Sequence, residues 1–216
     1  MDGPSGAGKS TLGRMLARAL GLLYIDTGSM YRAVALAVME SSVNAQDDIA
    51  VGSLASRVDI DLAGDPDSLR VILEGSDVTD EIRSDAVTEM SSIISTIPQV
   101  RRAMVERQRE MGKRGAVLNG RDIGTVVFPD AGVKFFLTAV PQERAERRFI
   151  EERAQDSNAD FESTFAEMTE RDRRDSTRSD SPLRAADDAV IIDSTGLTID
   201  EVLKRMMVVI NQRKEV

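Results

Sequence analysis

Cysteine, histidine and tryptophan are all missing from the 216 residues. Without cysteine there are neither disulfides nor thiolate metal ligands, a usage compatible with the cytosol. Without histidine the chain cannot build a Ser-His triad, use an imidazole as general base or hold a His-ligated zinc. Aromatic residues are scarce, 4 % against 41 % hydrophobic overall, so the core is aliphatic. No apolar run is long enough to span a bilayer, and the N-terminus lacks a charged-then-apolar signal pattern. A soluble cytoplasmic protein with no membrane partner is expected.

Positive charge is also in deficit. The formal net charge of −9 argues against a nucleic-acid groove, which needs a broad basic field. What basic charge there is lies in arginine, 23 Arg against 5 Lys. Arginine grips phosphate and carboxylate with two parallel hydrogen bonds, so local clusters could hold a small anion in an otherwise acidic chain. A high-GC genome accounts for the same bias equally well. The length suits one domain with an insertion.

The chain alternates strands and helices. "KSTLGRMLARAL" (9–20) spaces Leu12, Leu16 and Leu20 by four and stops at Gly21, which reads as an amphipathic helix. "LLYID" (22–26) reads as a buried parallel strand, followed by a helix over about 29–41. Later strands are expected at "AVLN" (116–119), "VKFFLTA" (133–139) and "AVIID" (189–193). Helices are expected from Pro98, from Pro141, over "FESTFAEMTERDRRDSTRSDSPL" up to Pro182, and from Thr198, where Thr198 and Glu201 form a capping box. This alternation predicts an α/β fold with a central parallel sheet and helices on both faces. Between them, "VDIDL" and "LRVIL" alternate around the turn "AGDPDS", an antiparallel hairpin foreign to that pattern. Residues 43–95 are therefore read as an inserted subdomain, with a returning helix over 84–95, on a core of 1–42 and 96–216. The acidic stretch 47–67 reads as the insertion's solvated face.

"DGPSGAGKST" (2–11) fits G-x-x-x-x-G-K-S/T at Gly3, Gly8, Lys9 and Ser10. In such a loop, Gly3, Pro4, Ser5, Gly6, Ala7 and Gly8 turn backbone N–H groups onto phosphate oxygens. Lys9 adds a point charge, Ser10 offers a hydroxyl to Mg²⁺, and the helix through Thr11 aims its positive end at the same place. A buried strand should precede the loop. Only Met1 and Asp2 do, so apolar residues upstream of Met1 are expected.

A phosphate loop does not name an activity. Three further clusters narrow it. "DTGSMYR" (26–32) offers Thr27, Ser29 and Arg32 at a strand's carboxyl end. "NGRDIG" (119–124) offers Arg121 and Asp122. "ERDRRDSTR" (170–178) places Arg171, Arg174 and Arg178 on one helical face; in isolation such a run is usually a solvated face laced with ion pairs. Arginine clusters beside a phosphate loop suit phosphoryl transfer, where positioning and charge neutralisation do most of the work. A kinase of one of several small acceptors, and a nucleotide-dependent switch, both remain open; no guanine-reading N-K-x-D is present, which counts against the switch.

Together, "DGPSGAGKST", "DTGSMYR", "NGRDIGTVVFPDA" and "ERDRRDSTR…SPL…ADDAVIIDST" resemble bacterial cytidylate kinase, a nucleoside monophosphate kinase of the phosphate-loop group, over essentially the whole chain. The resemblance implies a three-layer phosphate-loop kinase fold, transfer of the γ-phosphoryl group of ATP to CMP or dCMP with Mg²⁺, and a monomer. It implies that Gly3 to Thr11 hold the ATP phosphates. Thr27, Arg32, Arg121 and Arg178 would grip the CMP phosphate. Asp175 and Arg171 would hold the ribose, and Ser92, Arg101 and Asp122 would read the cytosine edge. Residues 43–95 would form the monophosphate-binding subdomain. Residues of about 150–165 would be a lid, with Arg147, Arg148 and Arg153 near the moving phosphoryl group. Asn119 stands where many relatives carry Asp, which leaves that position without a carboxylate for Mg²⁺.

Overall fold

The computed structural model describes residues 1–154 and 159–214. They form two compact units, one of Met1–Leu16 with Gly120–Val216 and one of Ala17–Asn119.

The first unit contains the phosphate loop and the start of α1 (Lys9–Leu20). Its two parallel strands carry the labels β6 (Phe135–Thr138) and β7 (Val190–Asp193) in chain order, with Phe135 opposite Val190 and Thr138 opposite Asp193. Asp2 bridges in parallel to Phe136. Its N–H donates to the Phe135 carbonyl at 2.9 Å, and its carbonyl accepts from Leu137 N–H at 2.8 Å. The residue entering the loop thus runs beside β6. Helices α6 (Pro141–Arg153), α7 (Phe161–Thr177) and α8 (Ile199–Lys214) flank these strands. Proline at N1 starts α6, where its missing N–H would have had no helical acceptor. Asp160 caps α7 by accepting from Ser163 N–H at 3.0 Å. The capping box before α8 is reciprocal: Thr198 N–H donates to Glu201 Oε2 at 2.8 Å, and Glu201 N–H donates to Thr198 Oγ1 at 3.3 Å. Val202, Met206 and Ile210 form the buried stripe of α8, at a spacing of four. Leu137 at the centre of β6 is fully enclosed.

The second unit pairs β1 (Leu23–Asp26) with β5 (Ala116–Asn119) in parallel, Leu23 opposite Ala116. Between these strands run α2 (Thr27–Glu40), α3 (Asp48–Arg57), α4 (Asp85–Ile94) and α5 (Pro98–Gly112). An antiparallel three-stranded sheet, β2 (Ile60–Ala63), β3 (Arg70–Leu73) and β4 (Ser76–Asp77), confirms the hairpin, with Ile60 opposite Leu73. Met30, Val34, Ile94, Val100 and Met104 form an aliphatic core.

Helix α3 was not foreseen in the acidic stretch. Asp47 caps it, accepting from Ile49 and Ala50 N–H at 3.1 and 3.0 Å. Only Val51, Gly52 and Ala55 of α3 are buried, a stripe too narrow to stand out in the sequence. Gly52 is needed there because a Cβ would meet the Gln99 side chain at 2.6 Å. The charged helix ends at Thr177, four residues short of the reading above, because Arg178 leaves helical geometry with ψ 143°. Among the described residues, no helix is long and apolar enough to cross a membrane.

Candidate active site

The phosphate loop holds its shape before any ligand is considered. Gly3, Gly6 and Gly8 all have positive φ, at 144°, 71° and 87°, which turns successive N–H groups to one side. At Gly3 a Cβ would lie 2.1 Å from the Leu137 carbonyl oxygen, and at Gly6 one would lie 2.5 Å from the Arg144 carbonyl oxygen. Side chains at either position would collide with backbone that cannot step aside. Lys9 is buried, and its ammonium donates to the Pro4 carbonyl at 2.7 Å. Burial pushes the Lys9 amine well below its usual pKa. The positive charges of Arg121 and Arg171 add to that shift, while Asp175 and Asp2 oppose it.

Buried Asp175 and Arg178 form an ion cluster with partly buried Arg121. Arg121 Nε donates to Asp175 Oδ2 at 2.7 Å, and Arg178 Nη1 donates to Asp175 Oδ1 at 3.3 Å. One carboxylate therefore serves both guanidinium groups, one oxygen each. Burial alone would push the Asp175 carboxyl up, yet Arg121, Arg171 and Arg178 more than offset it and hold it below its usual value. The residues after α7 fold back to complete the cluster: Arg178 Nε donates to the Ser181 carbonyl at 2.7 Å, and Leu183 N–H donates to the Asp175 carbonyl at 2.8 Å. Ser181 adopts a positive φ of 51° to allow this, a backbone cost that a serine accepts only where the surroundings demand it. Arg174 lies 3.8 Å from Glu170, and exposed Arg173 pairs with the same carboxylate at 2.7 Å. The arginine run is thus part buried cluster and part solvated face.

Arg121 and Asp122 sit at the start of a wide helical turn, Ile123–Val127, just past β5. Asp122 is buried. Two residues that the sequence did not single out brace the loop and this turn. Buried Asp2 accepts from Ile123 N–H through Oδ1 and from Gly124 N–H through Oδ2, both at 2.7 Å. Buried Arg144 donates from Nη1 to the Ser5 carbonyl at 2.9 Å and to Asp172 at 2.6 Å, fixing the loop to α6 and α7. Neither contact could be found from spacing, since Ile123 lies 121 residues from Asp2 and Ser5 lies 139 residues from Arg144 along the chain.

Arg147 and Arg148 hold protein partners. Arg147 donates to Ser194 Oγ and to the Ser194 carbonyl at 3.0 and 2.9 Å, just after β7. Arg148 Nε donates to Glu152 at 2.6 Å. Arg153 lies over the Phe149 ring at 5.7 Å. Of the expected lid, residues 155–158 lie outside the described residues. On either side of them Phe149 and Phe161 meet edge to face at 5.9 Å, and Thr164 donates to Glu152 at 2.5 Å.

The remaining expected residues belong to the second unit. At the start of α2, buried Thr27 donates its hydroxyl to the Asn119 carbonyl at 2.7 Å. Arg32 Nη2 donates to Ser29 Oγ at 3.1 Å and lies 4.0 Å from Asp26. Its buried Nε has no hydrogen-bond partner among the described residues. Asn119 donates from Nδ2 to the Tyr24 hydroxyl at 2.6 Å. Arg101 on α5 is buried, donates to the Ser95 carbonyl at 3.1 Å and lies over the Tyr31 ring at 5.7 Å. Tyr31 therefore packs locally. Ser92 on α4 is buried, and its Oγ has no hydrogen-bond partner among the described residues. A buried hydroxyl left in that state costs about 1–3 kcal/mol.

The chain is similar to known proteins over nearly its whole length. The family model described as cytidylate kinase matches residues 1–212. A cytidylate kinase of Geobacter sp. (strain M21) is 48 % identical over 214 residues, covering 99 % of this chain and 92 % of the relative. One from Desulforamulus reducens is 50 % identical over 216 residues, covering 99 % and 96 %. One from Rhodococcus opacus is 45 % identical over 218 residues, covering 100 % and 95 %.

Proposed function

This chain belongs to the cytidylate kinase family, and from that premise we propose how its residues divide the labour. The activity is transfer of the γ-phosphoryl group of ATP to CMP or dCMP, giving ADP and CDP or dCDP. The attacking atom is an oxygen of the acceptor's phosphate, already ionised at neutral pH, so no strong general base is needed. The absence of histidine is no handicap to such chemistry. The difficulty is that two polyanions must be brought end to end.

The observation that carries the proposal is the pairing of Arg121 and Arg178 on the two oxygens of Asp175, in a cluster whose Arg121 and Asp175 charges, with that of Arg171, also act on buried Lys9 of the phosphate loop. Gly3 to Thr11 would take the ATP phosphates, and Lys9 would steady the transferred group. Thr27, Arg32, Arg121 and Arg178 would take the CMP phosphate, with Asp175 and Arg171 on the ribose. Arg147 and Arg148, which hold Ser194 and Glu152, would lie near the transferred group. Segment 43–95 would serve as the monophosphate-binding subdomain of a core formed by 1–42 and 96–216, with 150–165 as the lid that excludes water. Ser10, an exposed residue in the first turn of α1, would offer its hydroxyl to Mg²⁺. When bound, it would neutralise charge on the ATP phosphates. Asn119, engaged with Tyr24, does not contribute a carboxylate to it.

For the base, Asp122 would accept from the cytosine N4 amine, while Arg101 and Ser92 would donate to N3 and O2. Uracil reverses the pattern at position 4 and at N3. Arg101→Met is therefore expected to lower kcat/KM for CMP by about 100-fold and to shrink the preference over UMP, read from steady-state kinetics with both acceptors. The assignment as a whole is tested by coupled ADP release with a panel of nucleoside monophosphates. Turnover with CMP and dCMP, and little with UMP, supports it. Activity with UMP but not CMP would overturn the acceptor assignment, and ADP release without any acceptor would favour a switch.

A further inference from the structure

We propose that Asp2 is a positioning residue that sets the distance and orientation between the phosphate loop and the turn bearing Arg121 and Asp122. This rests on the reading above that Arg121 and Asp122 face the acceptor. The turn Ile123–Val127 begins with N–H groups that have no helical acceptor, as at any helix start. Within the turn, Val126 and Val127 N–H donate to the Asp122 carbonyl at 2.9 and 3.2 Å, and Phe128 N–H donates to the Ile123 carbonyl at 2.7 Å. The first two donors, Ile123 and Gly124, are taken one each by the two oxygens of Asp2, at 2.7 Å. Hydrogen bonds to an ionised acceptor at this length are roughly twice as strong as neutral ones.

The same residue is fixed at its other end. Its backbone is strapped to β6 by two hydrogen bonds, and its successor Gly3 opens the phosphate loop against the Leu137 carbonyl. Met1 adds a third strap, its carbonyl accepting from Gly120 N–H at 2.9 Å. Gly124 is the residue that lets the carboxylate come so close: a Cβ there would lie 3.3 Å from Asp2 Oδ2 and 3.1 Å from the Lys134 side chain. The consequence is a rigid link of one side chain. Arg121 lies on one side of the braced amides, directly followed by Asp122, and the loop residue Gly3 lies on the other. A loosened turn would shift the Arg121 guanidinium and the Asp122 carboxylate together.

Asp2→Asn is the discriminating variant. It keeps shape and volume but offers one acceptor, and its amide would confront an N–H with another N–H. A misplacement of about 1 Å in a catalytic group costs about 100-fold. The expected result is a loss of about 100-fold in kcat/KM for CMP, mostly in kcat. The preference for CMP over UMP should fall at least tenfold, because Asp122 adjoins the freed amides. A bracing role confined to stability would lower the melting temperature and leave that preference unchanged. A folded Asp2→Asn protein with kcat and CMP-to-UMP preference within twofold of the parent would overturn the proposal. Asp122→Asn in the parent serves as the control. If it leaves the preference unchanged, the base reading has failed, and kcat, governed through Arg121, decides the role of Asp2 alone. If Asp2→Asn does not fold, amide exchange in the parent decides. Ile123 and Gly124 should become more protected when a non-hydrolysable ATP analogue fills the loop, and identical exchange with and without it would overturn the link.

Discussion

Lys9→Met is expected to abolish turnover almost completely, with kcat reduced by about a thousandfold or more at saturating ATP and CMP. Preorganised charges aimed at developing negative charge are worth two to five powers of ten in comparable reactions. Lys9 is buried beside the loop, in the field of Arg121 and Arg171. The same substitution should leave the ligand-free protein melting no lower than the parent. The sign follows from the depressed amine. A cation whose folded pKa lies below its unfolded value penalises the folded state fully at pH values below the folded pKa. The penalty is relieved as pH rises from there toward the unfolded value of about 10.4. Methionine removes that penalty at neutral pH. Parent and variant should therefore part in opposite directions: activity collapses while thermal stability holds, and the gain in melting temperature from an ATP analogue shrinks. A variant with kcat within tenfold of the parent would remove Lys9 from the reaction.

Asp175→Ala is expected to cost about 3–5 kcal/mol, because deleting one partner of a buried pair leaves an uncompensated buried charge. Here the carboxylate answers two guanidinium groups, Arg121 and Arg178. Urea unfolding at pH 7 measures the loss directly. The pH dependence identifies its origin. The Asp175 carboxyl is held below its usual value in the folded protein. Its contribution is therefore fully present above the unfolded pKa of about 3.9 and is lost as pH falls through the lower folded pKa. The stability gap between parent and variant should be constant near neutrality and close as the solution is acidified below about pH 4. A gap independent of pH would assign the effect to lost packing instead. Activity should fall as well, since both arginines lose the group that holds their planes.

Much of this was legible in the residues. The phosphate loop, the α1 stripe, the capping box at Thr198 and the antiparallel hairpin each follow from local rules, and each stands in the structure at nearly the expected positions. What escaped detection depended on partners remote in sequence. Asp2 reads as an ordinary acidic residue until folding brings Ile123 and Gly124 to it. Arg144 looks like one more surface arginine of a charged helix until its guanidinium is found on Ser5. Helix α3 escaped because its buried stripe includes a glycine, whose low helix propensity hid a close approach to Gln99. The end of α7 was misplaced for a related reason: Arg178 breaks the helix in order to reach Ser181, and no local pattern announces that. The partners that Arg147 and Arg148 hold, Ser194 and Glu152, were equally illegible, since a run of arginines on a helix says nothing about which carboxylate or carbonyl each will meet.

The cluster around Asp175 has a consequence for how ionic strength acts on the protein. Lys9, Arg121, Arg171 and Arg178 gather in one place within a chain whose net charge is −9. A nucleotide dianion taken up there, as proposed, would meet repulsion at a distance and attraction only on arrival. Dissolved ions screen exposed charges over roughly 10 Å at 0.1 M but reach buried pairs far less. Moderate salt should then ease the approach of substrate while leaving its final grip largely intact, the reverse of what a basic, anion-steering surface would show.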